Sequence, residues 1–158
     1  MKLLRALLAR RRRMKSRLGA GYTLVELILA MTIMGTLASM AVPRWSQAID
    51  KARVARAIGD IQALQTDVDG TDPLPASLAD IGHGGMLDPW GNPYVYVHHG
   101  GDIGLARKDR FNVPLNSEYD LYSKGIDGGT APALTAGASR DDIVRANDGG
   151  FVGLAINY

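Results

Sequence analysis

Residues 22–42, YTLVELILAMTIMGTLASMAV, form a 21-residue apolar run interrupted by one charge, Glu26. At 1.5 Å per helical residue such a run reaches about 31 Å, the thickness of a bilayer core of roughly 30 Å. Beyond Pro43 the pattern becomes periodic. Trp45, Ala48, Ile49, Ala52, Ala55, Ile58, Ile61, Leu64 and Val68 recur at spacings of three and four, the spacing of an amphipathic helix. Lys51, Arg53, Arg56 and Asp60 lie off that stripe, and Asp69, Gly70 and Asp72-Pro73 close the helix near residue 68. The pattern predicts one helix of about 45 residues, far longer than the helices of an ordinary globular domain. Its first half suits lipid and its second half suits the face of a sheet.

The rest of the chain is punctuated by Gly, Asn and Asp. Residues 70–93 read as loop with a short helix at PASLADIG (75–82), followed by strand-like runs at 94–99, 119–123 and 151–158. An antiparallel sheet packed on the apolar stripe of the helix gives an α+β fold.

Charge sharpens the division. Lys2, Arg5, Arg10, Arg11, Arg12, Arg13, Lys15 and Arg17 supply eight of the 18 basic residues, and no acid precedes Glu26. After residue 21 the chain holds 10 basic and 16 acidic residues, a balance of −6, although the whole sequence has a pI near 9.0. The basic character belongs to the leader, which argues against a nucleic-acid-binding domain. By the positive-inside bias the basic leader stays in the cytoplasm and the C-terminal domain lies outside. A secretory signal would place small residues after its apolar stretch. Here PRW follows, and Gly19, Ala20 and Gly21 come before. Cutting at those residues leaves the apolar helix on the product. There is no cysteine, so disulfides and thiolate chemistry are excluded.

The stretch GYTLVE (21–26), with the basic leader before it and the uncharged run after it, resembles the class III signal of type IV pilins and type II secretion pseudopilins, G-F-T-L-x-E. Tyr22 replaces the usual Phe. The resemblance implies cleavage between Gly21 and Tyr22 by prepilin peptidase and N-methylation of Tyr22. It further implies that Glu26, the fifth mature residue, pairs with the N-terminal ammonium of a neighbouring subunit during assembly. The residues alone also allow Glu26 to snorkel to the membrane interface from its shallow depth. Gly35 and Pro43 weaken a helix; the resemblance implies that the segment between them can lose helical hydrogen bonds when packed in a filament, and the residues alone read equally as an ordinary kinked membrane helix.

Two further stretches, LDPWGNPYVYV (87–97) and SEYDLYSKGIDGG (117–129), are similar to the D-P-W-G-x-P-Y and Y-D-L-x-S-x-G-x-D-G stretches of the major, G-type pseudopilins. The first also has a local logic: Pro89 fixes φ, Gly91 permits positive φ, and Trp90 anchors the turn on the core. The resemblance implies a pilin-like fold, no enzymatic activity, and calcium in the C-terminal loop. Asp127, Asp141 and Asp142 flank a Gly/Ala-rich loop, and hard oxygens suit calcium. By the resemblance Asp127 and Asp142 match the family's aspartates, with Asp141 beside them and a backbone carbonyl near Lys124 or Gly125 completing the set. The same acids also read as a solvated loop with Asp141 capping a short helix.

The implied organisation is a cleaved leader (1–21), a transmembrane and filament-core helix (22–42) and a periplasmic globular domain (43–158). The implied role is a structural subunit of a pseudopilus that drives protein export across the outer membrane. Implied partners are further copies in a helical homopolymer, minor pseudopilins, an inner-membrane assembly platform and prepilin peptidase. The subunit would reside in the bacterial inner membrane before extraction into the periplasmic filament. A type IV pilin of a surface fibre and a membrane-anchored periplasmic binding protein are the competing readings. DVDGTD (67–72) fails as an EF-hand, because its Gly is fourth and Leu78 stands at the bidentate position. His83, His98 and His99 show no ligand spacing and read as surface residues.

Overall fold

The computed structural model describes residues 21–158. Helix α1 runs from Leu24 to Asp69, 46 residues, with Pro43 inside it. The chain forms two compact units, the first ending at Ser46 and the second comprising Gln47–Tyr158. In the first unit every described residue is exposed. The hydroxyls of its apolar helix are satisfied within the helix itself. Thr32, Thr36 and Ser39 each donate to a carbonyl one turn back, those of Ile28, Ile33 and Thr36, at 2.8 Å. Thr23 caps the helix, its Oγ1 accepting from the Glu26 amide at 3.2 Å.

In the second unit the C-terminal part of α1 lies on a four-stranded antiparallel meander in the order β1-β2-β3-β4. The strands are β1 (Val95–His98), β2 (Tyr119–Ser123), β3 (Ile143–Ala146) and β4 (Phe151–Leu154). Val95 pairs with Tyr122, Tyr122 with Val144, and Val144 with Gly153. Successive side chains alternate between two buried layers. On one face Tyr119, Leu121 and Ile143 pack with Ala57, Ile61, Leu64 and Val68 of the helix. On the other, Val144 and Ala146 pack with Leu115, Leu134 and Ala155 from the loops. The sheet is thus covered on both faces.

That double cover explains where the pattern misled. β3 is buried at all four positions, so it carries no inside-outside alternation and was not expected. The helix expected at 75–82 is instead a series of turns. Asp80 reaches back to the amide and hydroxyl of Ser77 at 2.9 and 3.1 Å, and Gly82 takes φ +83°, which ends any helical run. The last strand is shorter than expected, giving way at Ala155 to a 3₁₀ turn. The helix stripe is rotated in its N-terminal part. Trp45, Ala48, Ile49, Ala52 and Ala55 are exposed, and the seam facing the sheet starts with Val54, Ala57 and Ile58. His99 is also not a surface residue: it is buried, with Nε2 3.7 Å from Asp120 Oδ2.

Candidate functional sites

The first site is the start of α1. Gly21 precedes the helix, and a Cβ built on it meets nothing within 4 Å among the described residues. Its small size is therefore not imposed by packing within that part of the chain. Thr23 is the N-cap and Glu26 the third helical residue, the T-x-x-E spacing of a capping box. That signal was present in the sequence and gives Thr23 a role of its own. A carboxylate there also sits favourably at the positive end of the helix dipole. Glu26 is exposed and makes no salt bridge among the described residues. Residues 1–20 of the expected leader lie outside the described residues.

The second site gathers the two loop stretches of the domain. Asp88 is buried and organises the first: Oδ1 accepts from the amides of Trp90 and Asn92 at 3.0 and 2.8 Å. Its Oδ2 accepts from Ser123 Oγ at 2.6 Å, and Asn92 Nδ2 donates to the Gly125 carbonyl at 2.9 Å. The D-P-W-G turn and the end of β2 are therefore fastened to one another. Gly91 adopts φ +93°, as the turn requires, and Trp90 packs against the main core.

After Ser123 the chain turns through Lys124 and Gly125 towards Asp127. Asp141 Oδ2 accepts from the amides of Ile126 and Asp127 at 2.8 and 3.0 Å. Asp127 Oδ1 accepts from Gly129 at 2.7 Å. Gly125 has φ +65°, and a Cβ on it would collide with the carbonyl and carboxylate of Asp141. Asp141 thus caps the turn that follows Lys124 and contains Asp127.

Asp142 does not join them. It is 0% exposed, and its Oδ2 accepts from Arg107 Nη2 at 2.6 Å and Thr130 Oγ1 at 2.7 Å. Burial raises its carboxyl above the ordinary carboxylate range, against the opposing pull of Thr130 and Arg107. Arg107 is itself buried, stacks 4.2 Å over the Tyr122 ring, and donates its amide to Asp120 at 2.6 Å. Arg107 was not singled out from the sequence, where one basic residue among the three of GLARKDR gives no sign of burial.

As a calcium site the donors fit in part. Among the described residues no three His, Asp or Glu side chains converge on one point. A cation at this turn would therefore rest on Asp127, Asp141 and backbone carbonyls such as that of Lys124, with Asp142 already committed to a guanidinium.

Residues 17–42 match the family model described as the prokaryotic N-terminal methylation motif. The chain is 29% identical to the type II secretion system core protein G of Pseudomonas aeruginosa, over 73% of this chain and 89% of that protein. It is 31% identical to the protein of the same name from Aeromonas hydrophila, over 73% of this chain and 88% of that one. Fimbrial protein Q of Moraxella bovis is 39% identical, but over only 31% of each chain. No solved structure gave a significant match. Likeness to the fimbrial protein covers less than a third of the chain, whereas likeness to the core G proteins covers nearly three quarters of it. This chain belongs to the type II secretion system core protein G family and is a structural, non-enzymatic major pseudopilin.

Proposed function

We propose that this pseudopilin is made with a cytoplasmic leader, residues 1–21, which prepilin peptidase removes before Tyr22 is N-methylated. Residues 22–42 then hold the subunit in the inner membrane with residues 43–158 in the periplasm. Assembly into the pseudopilus draws the helix out of lipid and packs it among copies of itself, with minor pseudopilins and an inner-membrane platform as partners. Glu26 supplies the carboxylate that meets a neighbour's N-terminal ammonium, an ion pair favoured where the alternative is an unpaired charge in apolar surroundings. The observation that carries this reading is the exposure of every side chain from Leu24 to Val42. So much apolar surface needs an apolar environment from outside the subunit.

Mass spectrometry of the protein from cells with and without prepilin peptidase tests the processing. The expected product begins at methylated Tyr22 and depends on the peptidase. A product that retains Met1, or one that begins near Trp45, contradicts the proposal.

We further propose calcium at the turn of Lys124, Asp127 and Asp141. The support is that Asp141 Oδ2 and Asp127 Oδ1 both accept from backbone amides of residues 126–129 at the start of the C-terminal loop. When bound, calcium would tie the two ends of that loop and stabilise the folded domain by mass action. The domain should melt higher in millimolar calcium than in EDTA at equal ionic strength. Asp127→Ala and Asp141→Ala should each remove that difference. Asp142→Ala should lower the melting temperature in both solutions. An identical melting temperature with calcium and EDTA returns these acids to a solvated loop.

A further inference from the structure

The short stretch Pro43-Arg44-Trp45 closes the apolar run, and all three residues are exposed. Trp45 is 74% exposed, although it is an aromatic of large apolar area. The chain's other tryptophan, Trp90, is packed on the core of the domain. Arg44 is exposed as well. Among the described residues of α1, Arg53 pairs with Asp50 at 3.8 Å and Arg56 with Asp60 at 3.7 Å, whereas Arg44 has no carboxylate partner. Pro43 adds a third feature. Lacking an N–H, it cannot donate to the Ser39 carbonyl one turn earlier.

An exposed indole and an unpaired guanidinium share one requirement, a medium that is apolar on one side and rich in phosphate and water on the other. The carbonyl that has lost its helical donor needs a new donor, which water at that boundary supplies. Indole and guanidinium side chains reach that condition at the bilayer interface. The site begins directly where the 21-residue run ends, so a helix inserted from Tyr22 places it at the outer headgroup layer.

We infer that Arg44 and Trp45 form an interfacial anchor for the phospholipid headgroups of the outer leaflet, with Arg44 on phosphate and Trp45 at the level of the glycerol. This rests on the proposal that residues 22–42 span the membrane. The anchor fixes the depth of the waiting subunit, and extraction into a filament must break it.

The test uses the full chain carrying Trp90→Phe, so that Trp45 is the sole tryptophan, excited beyond the absorption of the tyrosines, in vesicles of phosphatidylethanolamine and phosphatidylglycerol. Lipids brominated at shallow or deep acyl positions report its depth. The expected result is blue-shifted emission, quenched more by shallow than by deep bromines and unchanged when the protein is diluted into excess lipid. Arg44→Gln should shift the quenching towards the deeper bromines, and an unchanged ratio would overturn the part given to Arg44. A chain that floats with the vesicles while Trp45 emits as in water, unquenched, overturns the anchor and leaves the membrane span intact. A chain that does not float with the vesicles overturns the span and the anchor together. Blue-shifted emission that reverts on dilution into lipid assigns Trp45 to a second copy of the chain, and the anchor fails.

Discussion

From Leu24 to Val42 no side chain is buried, whereas in β3 every one is, the arginine included. The two regions solve opposite problems. The apolar half of α1 satisfies the hydroxyls of Thr32, Thr36 and Ser39 internally and leaves its hydrophobic surface for other molecules to cover. The sheet domain covers its own hydrophobic surface on both faces and can bury charge because each charge has a partner. Arg107 meets Asp142, and Arg145 lies 4.0 Å over the Tyr119 ring. A subunit built this way carries a finished domain and an unfinished helix, and the unfinished part is the part that can assemble.

The contrast breaks first if the buried charges of the domain prove dispensable. Arg107→Met and Asp142→Asn should each cost about 3–5 kcal/mol, because either leaves a partner buried without its counter-group. Denaturant titration of the full chain in detergent measures this. A double replacement, Arg107→Met with Asp142→Asn, should cost less than the two single changes together. Additive losses would mean that the two residues act separately.

A second comparison uses one residue type in the two regions. Leu64 is 1% exposed in the domain core and Leu37 is 63% exposed in the apolar helix. Leu64→Ala should destabilise the domain by about 2–5 kcal/mol. Leu37→Ala should change it by no more than about 0.5 kcal/mol in the same titration. A large loss from Leu37→Ala would show that the helix half is already packed within the subunit.

The long helix was legible in the sequence because its signal is repeated over many turns. The pseudopilin family was legible because its signals sit in fixed order at the N-terminus and in two loop stretches. The sheet was only partly so. β1, β2 and the start of β4 carry aromatic and β-branched residues between turns, while β3 is four residues long and contains Arg145. A charge inside a short run reads as loop unless its cation-π and hydrogen-bonding partners are known, and those come from residues 26 and 29 positions earlier in the chain. The same cause hid His99 and Arg107. The register of the helix stripe failed in its N-terminal turns, where Trp45, Ile49 and Ala52 continue the periodicity but face no sheet. For the acids, spacing brought Asp127, Asp141 and Asp142 together as a group. Only the fold separates adjacent Asp141 and Asp142 into a turn cap and an internal counter-ion.

The central claim is that the exposed half of α1 finds its partners in other copies of the subunit, with Glu26 making the decisive contact. Filament yield from Glu26→Ala, expressed as the only copy in cells that retain prepilin peptidase, tests it directly. The variant should insert, lose residues 1–21 and accumulate in the membrane, because removing the charge eases residence in lipid. It should form no filaments. Filaments at the wild-type yield would contradict the claim and leave Glu26 as a carboxylate that only reaches for the interface from the first turn of its helix.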